Sequence, residues 1–172
     1  MANETTINEI AQQIQNILLE RGQMMATAES LTGGLVASHI VDIPGSSAVL
    51  AGGIVAYQNE VKEHLLGVPH QILKGKGAVS AETVKAMAEG ARQKFGCEWA
   101  IATSGIAGPG GAEPGKPVGT VWMAVANSLQ NEAFCKIFAG NRNQVREKTV
   151  YSVLSRLLFL LNNQKSTCTS EH

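Results

Sequence analysis

A chain of 172 residues with a formal net charge of zero is long enough to bury one sizeable core, and its scattered Lys and Arg form no basic stripe of the kind that tracks nucleic-acid phosphates. No apolar run approaches the roughly 20 residues of a membrane span, and "MANETTINEI" has neither the basic nor the apolar stretch of a secretion signal; the expectation is a soluble cytoplasmic protein with no nucleic-acid and no membrane partner. Cys97, Cys135 and Cys168 are odd in number and widely spaced, and His39, His64, His70 and His172 are equally dispersed, which argues against a disulfide framework or a metal centre.

Ile7, Ile10, Ile14, Ile17 and Leu18 recur at helical spacing and Gly22 follows as a stop, which predicts an amphipathic helix from about residue 5 to 21. "QMMATAES" reads as a short buried strand, and "GGLVASHIVDI" as a helix that Pro44 and Gly45 break. "VLAGGIVAY" is the next strand, in which Gly52 and Gly53 mark a close approach by a partner strand or a ligand. A short helix, "NEVKEHLLG", leads into a linker with Pro69 and the glycines and lysines of Lys74 to Gly77.

"SAETVKAMAEGARQKFG" is a helix with Ser80 as N-cap, Glu82 in the first turn and Gly96 after the end. "EWAIATSG" is a strand, and "IAGPGGAEPGKP", with three prolines and four glycines, is a loop between two strands. "VGTVWMAVAN" and "EAFCKIFAG" are neighbouring strands joined at "SLQN", and "RNQVREKTVYSVLSRLLFLLNN" is a long closing helix. The order indicates an α/β fold: one layered domain over 1–163 with a mixed β-sheet flanked by helices, then a polar, mobile tail over 164–172.

Polar clusters stand at three expected strand ends, from Glu29 to Gly34, Tyr57 to Lys62 and Thr103 to Gly111. Sites in such folds gather outside the carboxyl ends of strands, so the three are expected to converge on one pocket. In the first, Ser30 or Thr32 is either an N-cap or, in Ser30, a nucleophile beside the backbone N–H groups of Thr32, Gly33 and Gly34. Glu29 orients Tyr57 or Lys62, or complements the positive end of the following helix.

In "YQNEVK", Lys62 is either an exposed helix residue beside a packed Tyr57 or a desolvated base with the phenol as relay. The Tyr and Lys spacing differs by one from that of short-chain dehydrogenases and no GxGxxG follows a strand, which disfavours hydride transfer. Thr103, Ser104, Gly105 and Gly108 in "TSGIAGPGG" form either a phosphate-binding nest or a tight connection needing positive φ, without the lysine of a Walker loop. Arg142 and Arg146 lie four apart and pair with a ligand phosphate, with Glu147 or with solvent.

Taken in order, "AESLTGG", "PGSS", "YQNEVK", "GAVS", "SGIAGPGG" and "KPVGTVW" resemble the CinA C-terminal domain family, which includes stand-alone nicotinamide mononucleotide deamidases (PncC), over nearly the whole chain. The resemblance implies a cytoplasmic, metal-free amidohydrolase of the pyridine nucleotide cycle in NAD metabolism. It would convert nicotinamide mononucleotide and water to nicotinate mononucleotide and ammonia, with no cofactor, and would assemble as a homo-oligomer. Carried over residue by residue, Ser30 matches the nucleophile, and Tyr57 and Lys62 match its partners. The substrate would be held by Glu29, Thr32, Gly33, Gly34, Thr103, Ser104, Gly105, Gly108 and Arg142. The competing readings are a paralogue that binds a pyridine nucleotide without hydrolysing it, and an amidase for another phosphorylated amide.

Overall fold

The computed structural model describes residues 5–164, so most of the polar tail, with Cys168 and His172, lies outside it. Helix α1 (Ile7–Arg21) begins at a Thr6 and Glu9 capping box and ends at Gly22, whose φ of 61° is the left-handed conformation that stops a helix. Strand β1 (Met25–Glu29), helix α2 (Leu35–Val41), strand β2 (Leu50–Val55) and helix α3 (Asn59–Leu66) follow in the expected order.

The stretch expected to be a linker instead holds a helix, α4 (His70–Lys76). Pro69 sets the backbone just ahead of it and Leu73 is its one buried anchor, so it has no amphipathic stripe to announce it. Helix α5 (Ala81–Phe95) is capped by the Ser80 hydroxyl, and strands β3 (Trp99–Gly105), β4 (Thr120–Ala126) and β5 (Asn131–Ile137) lead to helix α6 (Arg142–Asn163).

The sheet order is β2-β1-β3-β4-β5. β1 pairs parallel with β2 and β3, whereas β4 runs antiparallel to both β3 and β5. β1 thus lies where the chain reverses its direction of travel across the sheet, and the carboxyl ends of β1, β2 and β3 open on one edge.

Side-chain size alternates along the central strands with the period of the pleat. Met25, Trp99, Ile101, Met123 and Val125 face one core, shared with α1, α2 and α6. Ala26, Ala28, Ala100, Ala102, Ala124 and Ala126 face the other, shared with α3, α4 and α5. The register lines these alanines up as rows across the sheet, Ala26 beside Ala100 beside Ala126, and Ala28 beside Ala102 beside Ala124. Methyl groups alone let α5 settle close to the strands, and α3 presses on α5 so closely that a Cβ at Gly90 would collide with the Leu66 carbonyl.

The glycines of β2 serve packing within the chain. A Cβ at Gly52 would strike the Phe95 ring, and one at Gly53 would lie 2.5 Å from the Thr27 hydroxyl. Neither a partner strand nor a ligand is needed to explain them. No described helix is long and apolar enough to cross a membrane.

Candidate active site

The pleat separates the two polar residues that end β1. Ser30 N–H donates to the Thr103 carbonyl, which carries the ladder one residue further and puts the Ser30 side chain on the alanine face, toward α3. Glu29 turns the other way, toward α2. Its buried carboxylate accepts from the N–H groups of Gly34 (3.0 Å), Val36 (3.0 Å) and Ala37 (2.9 Å). Of the roles open to Glu29, complementing the start of a helix is the one this geometry displays; its carboxylate meets neither Tyr57 nor Lys62.

Lys62 reaches Ser30 from α3. It is 1% exposed, and its Nζ lies 2.8 Å from the Ala56 carbonyl, 3.2 Å from the Tyr57 carbonyl and 3.4 Å from Ser30 Oγ. Among the described residues no carboxylate pairs with it. Burial without a counter-charge pushes its pKa down. An ammonium would donate to the two carbonyls and the hydroxyl alike, whereas a neutral amine would donate to the carbonyls and leave its lone pair for the hydroxyl.

Tyr57 meets the lysine through its carbonyl. Its phenol, on a side chain 58% exposed, accepts from Arg142 at 2.9 Å. The lysine is therefore the buried member of the pair and the tyrosine the exposed one. The other arm of Arg142 donates to the Gly108 carbonyl at 2.9 Å, so this guanidinium, at the start of α6, ties the β2–α3 turn to the glycine-rich loop between β3 and β4. Two of its five donors are used in this way.

The turn after Ser30 is held from several sides. Gly33 N–H returns to the Ser30 carbonyl, and with the Gly34 N–H on Glu29, neither glycine offers a free donor to a ligand. The hydroxyls of Thr32 and Thr103 share a buried hydrogen bond of 2.7 Å. Ser104 is buried on the alanine side of β3, the side that Ser30 faces. At Gly105 a Cβ would lie 2.7 Å from the Thr120 carbonyl, and at Gly108, where φ is 83°, one would lie 2.6 Å from Val118 Cγ1.

Arg146, read from sequence as facing a phosphate, Glu147 or solvent, instead donates to the Leu31 and Thr32 carbonyls, both at 2.9 Å. Its partners stand more than a hundred positions away, and no local spacing could have revealed them.

Among the described residues no group of three or more His, Cys, Asp or Glu gathers as a metal would require. A groove of about 550 Å³ lies between β5 and α6, three strands from β1. Its Glu132 and Arg156 pair bidentately with each other, and its third charged residue, Lys136, lies 3.5 Å from the Ser152 hydroxyl but is exposed, whereas at Ser30 the amine that faces a hydroxyl is buried without a counter-ion. The chemistry therefore places the candidate site at Ser30 and Lys62.

Comparison with known proteins matches residues 7–161 to the CinA C-terminal domain. A CinA-like protein of Anaeromyxobacter sp. (strain K) is 44% identical over 154 residues, covering 90% of this chain and 38% of the relative. One of Parasynechococcus marenigrum is 47% identical over 155 residues, covering 89% and 37%. The chain thus spans under two fifths of the length of these curated relatives. Among solved structures, a competence/damage inducible protein of Agrobacterium tumefaciens is 39% identical with a TM-score of 0.87, covering 91% of this chain and 95% of that one. A competence damage-inducible protein A of Klebsiella pneumoniae is 34% identical with a TM-score of 0.90, covering 93% and 99%.

Proposed function

We propose that this chain, which belongs to the CinA C-terminal domain family, is an amidohydrolase that deamidates nicotinamide mononucleotide through Ser30 and Lys62. The observation that carries this reading is a buried lysine without an acid partner, its Nζ 3.4 Å from a serine hydroxyl at a strand end. A lysine in ordinary solvent is protonated at neutral pH and cannot take a proton. Desolvation lowers its pKa and so favours the neutral amine, whose lone pair can take a proton.

In the proposed reaction neutral Lys62 takes the Ser30 proton as the Oγ–C bond forms at the carboxamide carbon. The tetrahedral intermediate collapses with cleavage of the C–N bond, and the nitrogen takes that proton from Lys62 and leaves as ammonia. Water then attacks the acyl-serine, again giving its proton to Lys62, and the acid departs as Ser30 regains a hydrogen. General-base assistance of this kind is worth about 10²- to 10⁴-fold in rate.

The mononucleotide phosphate would lie at the mouth of the site, on the unused donors of Arg142 and the glycine-rich loop from Thr103 to Gly111. Tyr57, with its phenol at that rim, is assigned a part in shaping the mouth. The experiment is ammonia release from nicotinamide mononucleotide by the wild type, Ser30→Ala and Lys62→Met, with and without a chelator. Release that survives the chelator and is lost in both variants is expected; a wild type that binds the nucleotide without releasing ammonia would overturn the reading.

A further inference from the structure

On the proposed serine mechanism, the developing oxyanion needs backbone donors, yet two of the three nominal donors after Ser30 are taken. Gly33 N–H is closed on the Ser30 carbonyl and Gly34 N–H on Glu29. Among the described residues, the N–H groups of Leu31 and Thr32 are the ones in this turn that donate to no protein acceptor.

The peptide that carries the Thr32 N–H also carries the Leu31 carbonyl, and a planar trans peptide points its N–H opposite to its C=O. Arg146, on α6, grips that carbonyl with Nε and the next one with its terminal nitrogen, both at 2.9 Å. α6 packs on the large-residue face of the sheet, and Ser30 and Lys62 meet on the other. A hold on the Leu31 carbonyl leaves the Thr32 N–H on the opposite edge of the peptide, away from Arg146. A guanidinium on the carbonyl also polarises the peptide, which strengthens its N–H as a donor.

We propose that the Thr32 N–H is the principal oxyanion donor and that Arg146 is the positioning residue that aims it. Arg146 touches no reacting atom. Its planar fork spans two successive carbonyls, which a lysine ammonium does not reproduce.

The test uses p-nitrophenyl acetate, an ester that requires oxyanion support but neither nicotinamide nor phosphate, beside turnover of nicotinamide mononucleotide. In the full chain, Arg146→Met is expected to slow Ser30-dependent nitrophenolate release about 10- to 100-fold, somewhat less than outright loss of an oxyanion donor. Arg146→Lys is expected to slow it at least about fivefold, since one of two carbonyls is released. Calorimetric affinity for nicotinamide mononucleotide should change by less than about threefold in both, because a donor that acts on the transition state does not alter ground-state binding.

A release rate within about twofold of wild type in a folded variant, or a loss of affinity equal to the loss of rate, would overturn the proposal. So would loss of cooperative unfolding in both variants, which would make Arg146 a residue of the fold alone. A wild type that is acylated by the ester at Ser30 but releases no ammonia would remove only the substrate assignment. A wild type with no Ser30-dependent acylation would remove the serine mechanism and this inference with it.

Discussion

The Nζ of Lys62 and the Oγ of Ser30 stand 3.4 Å apart, with the amine 1% exposed and its other contacts two main-chain carbonyls. Catalysis by this pair requires the uncharged amine. Activity should therefore rise with pH through the lowered pKa of Lys62, and the acid limb should sit below the ordinary lysine value. Lys62→Met is expected to remove about 10²- to 10⁴-fold of kcat. An acid limb unchanged in a residually active Lys62→Met protein would show that another group titrates.

The same burial makes the lysine a cost to folding. Its pKa is lower in the folded chain than in the unfolded one, so between those two values the unfolded state holds more protons and stability rises with pH. The penalty is full below the folded pKa and gone above the unfolded one. Lys62→Met should accordingly melt higher than wild type at neutral pH, with a gain that shrinks as pH approaches about 10.4. A gain independent of pH, or a loss at every pH, would contradict this.

Tyr57 separates two accounts of the site. Its phenol is held by Arg142 and its carbonyl by Lys62, so Tyr57→Phe keeps the contact to the amine. The variant should lose less than about tenfold in kcat, against at least about 10²-fold for Lys62→Met, and its larger effect should fall on KM. Equal losses of kcat in the two variants would restore the phenol to the proton path.

Glu29→Gln replaces a carboxylate that accepts three backbone N–H groups with an amide that has only one acceptor oxygen. One of its two ends then faces an N–H with a donor of its own. A loss of about 1–3 kcal/mol is expected, read as a lower urea midpoint at unchanged m-value.

Gly90→Ala sets two effects against each other. Helix propensity favours alanine in α5 by about 1 kcal/mol, whereas the new methyl would meet the Leu66 carbonyl, a backbone atom that cannot rotate away. Overpacking of this kind costs about 1–3 kcal/mol, occasionally more. Net destabilisation should result, visible in thermal unfolding, and a stabilised variant would mean that α3 shifts freely.

Period and punctuation made most of the fold legible: α1 and α5 through apolar spacing and their caps, and the strands through short apolar runs closed by glycine. α4 was hidden because Pro69 and Gly77 bracket it, Gly75 stands inside it, and it has a single buried anchor. At the site, Ser30 and Lys62 were legible only through the motifs they share with a family. Spacing alone left Ser30 better explained by a helix cap, whereas the N-cap of α2 is Gly34 and the N–H groups at the helix start are taken by the Glu29 carboxylate. The partners of Arg142 and Arg146 depend on how α6 lies across the sheet edge, a tertiary outcome with no local signature.

The alanine rows beneath α5 act as a shim. α5 rests on them, α3 is wedged against α5 at Gly90, and Lys62 stands one helical turn before the wedged Leu66. The gap between amine and hydroxyl thus depends on the thickness of a layer that includes neither Ser30 nor Lys62. Adding methylenes to Ala100 or Ala124 would lift α5, carry α3 with it and draw the Lys62 amine off the Ser30 hydroxyl, and on the proposed mechanism a displacement of about 1 Å is enough to cost roughly 10²-fold in rate.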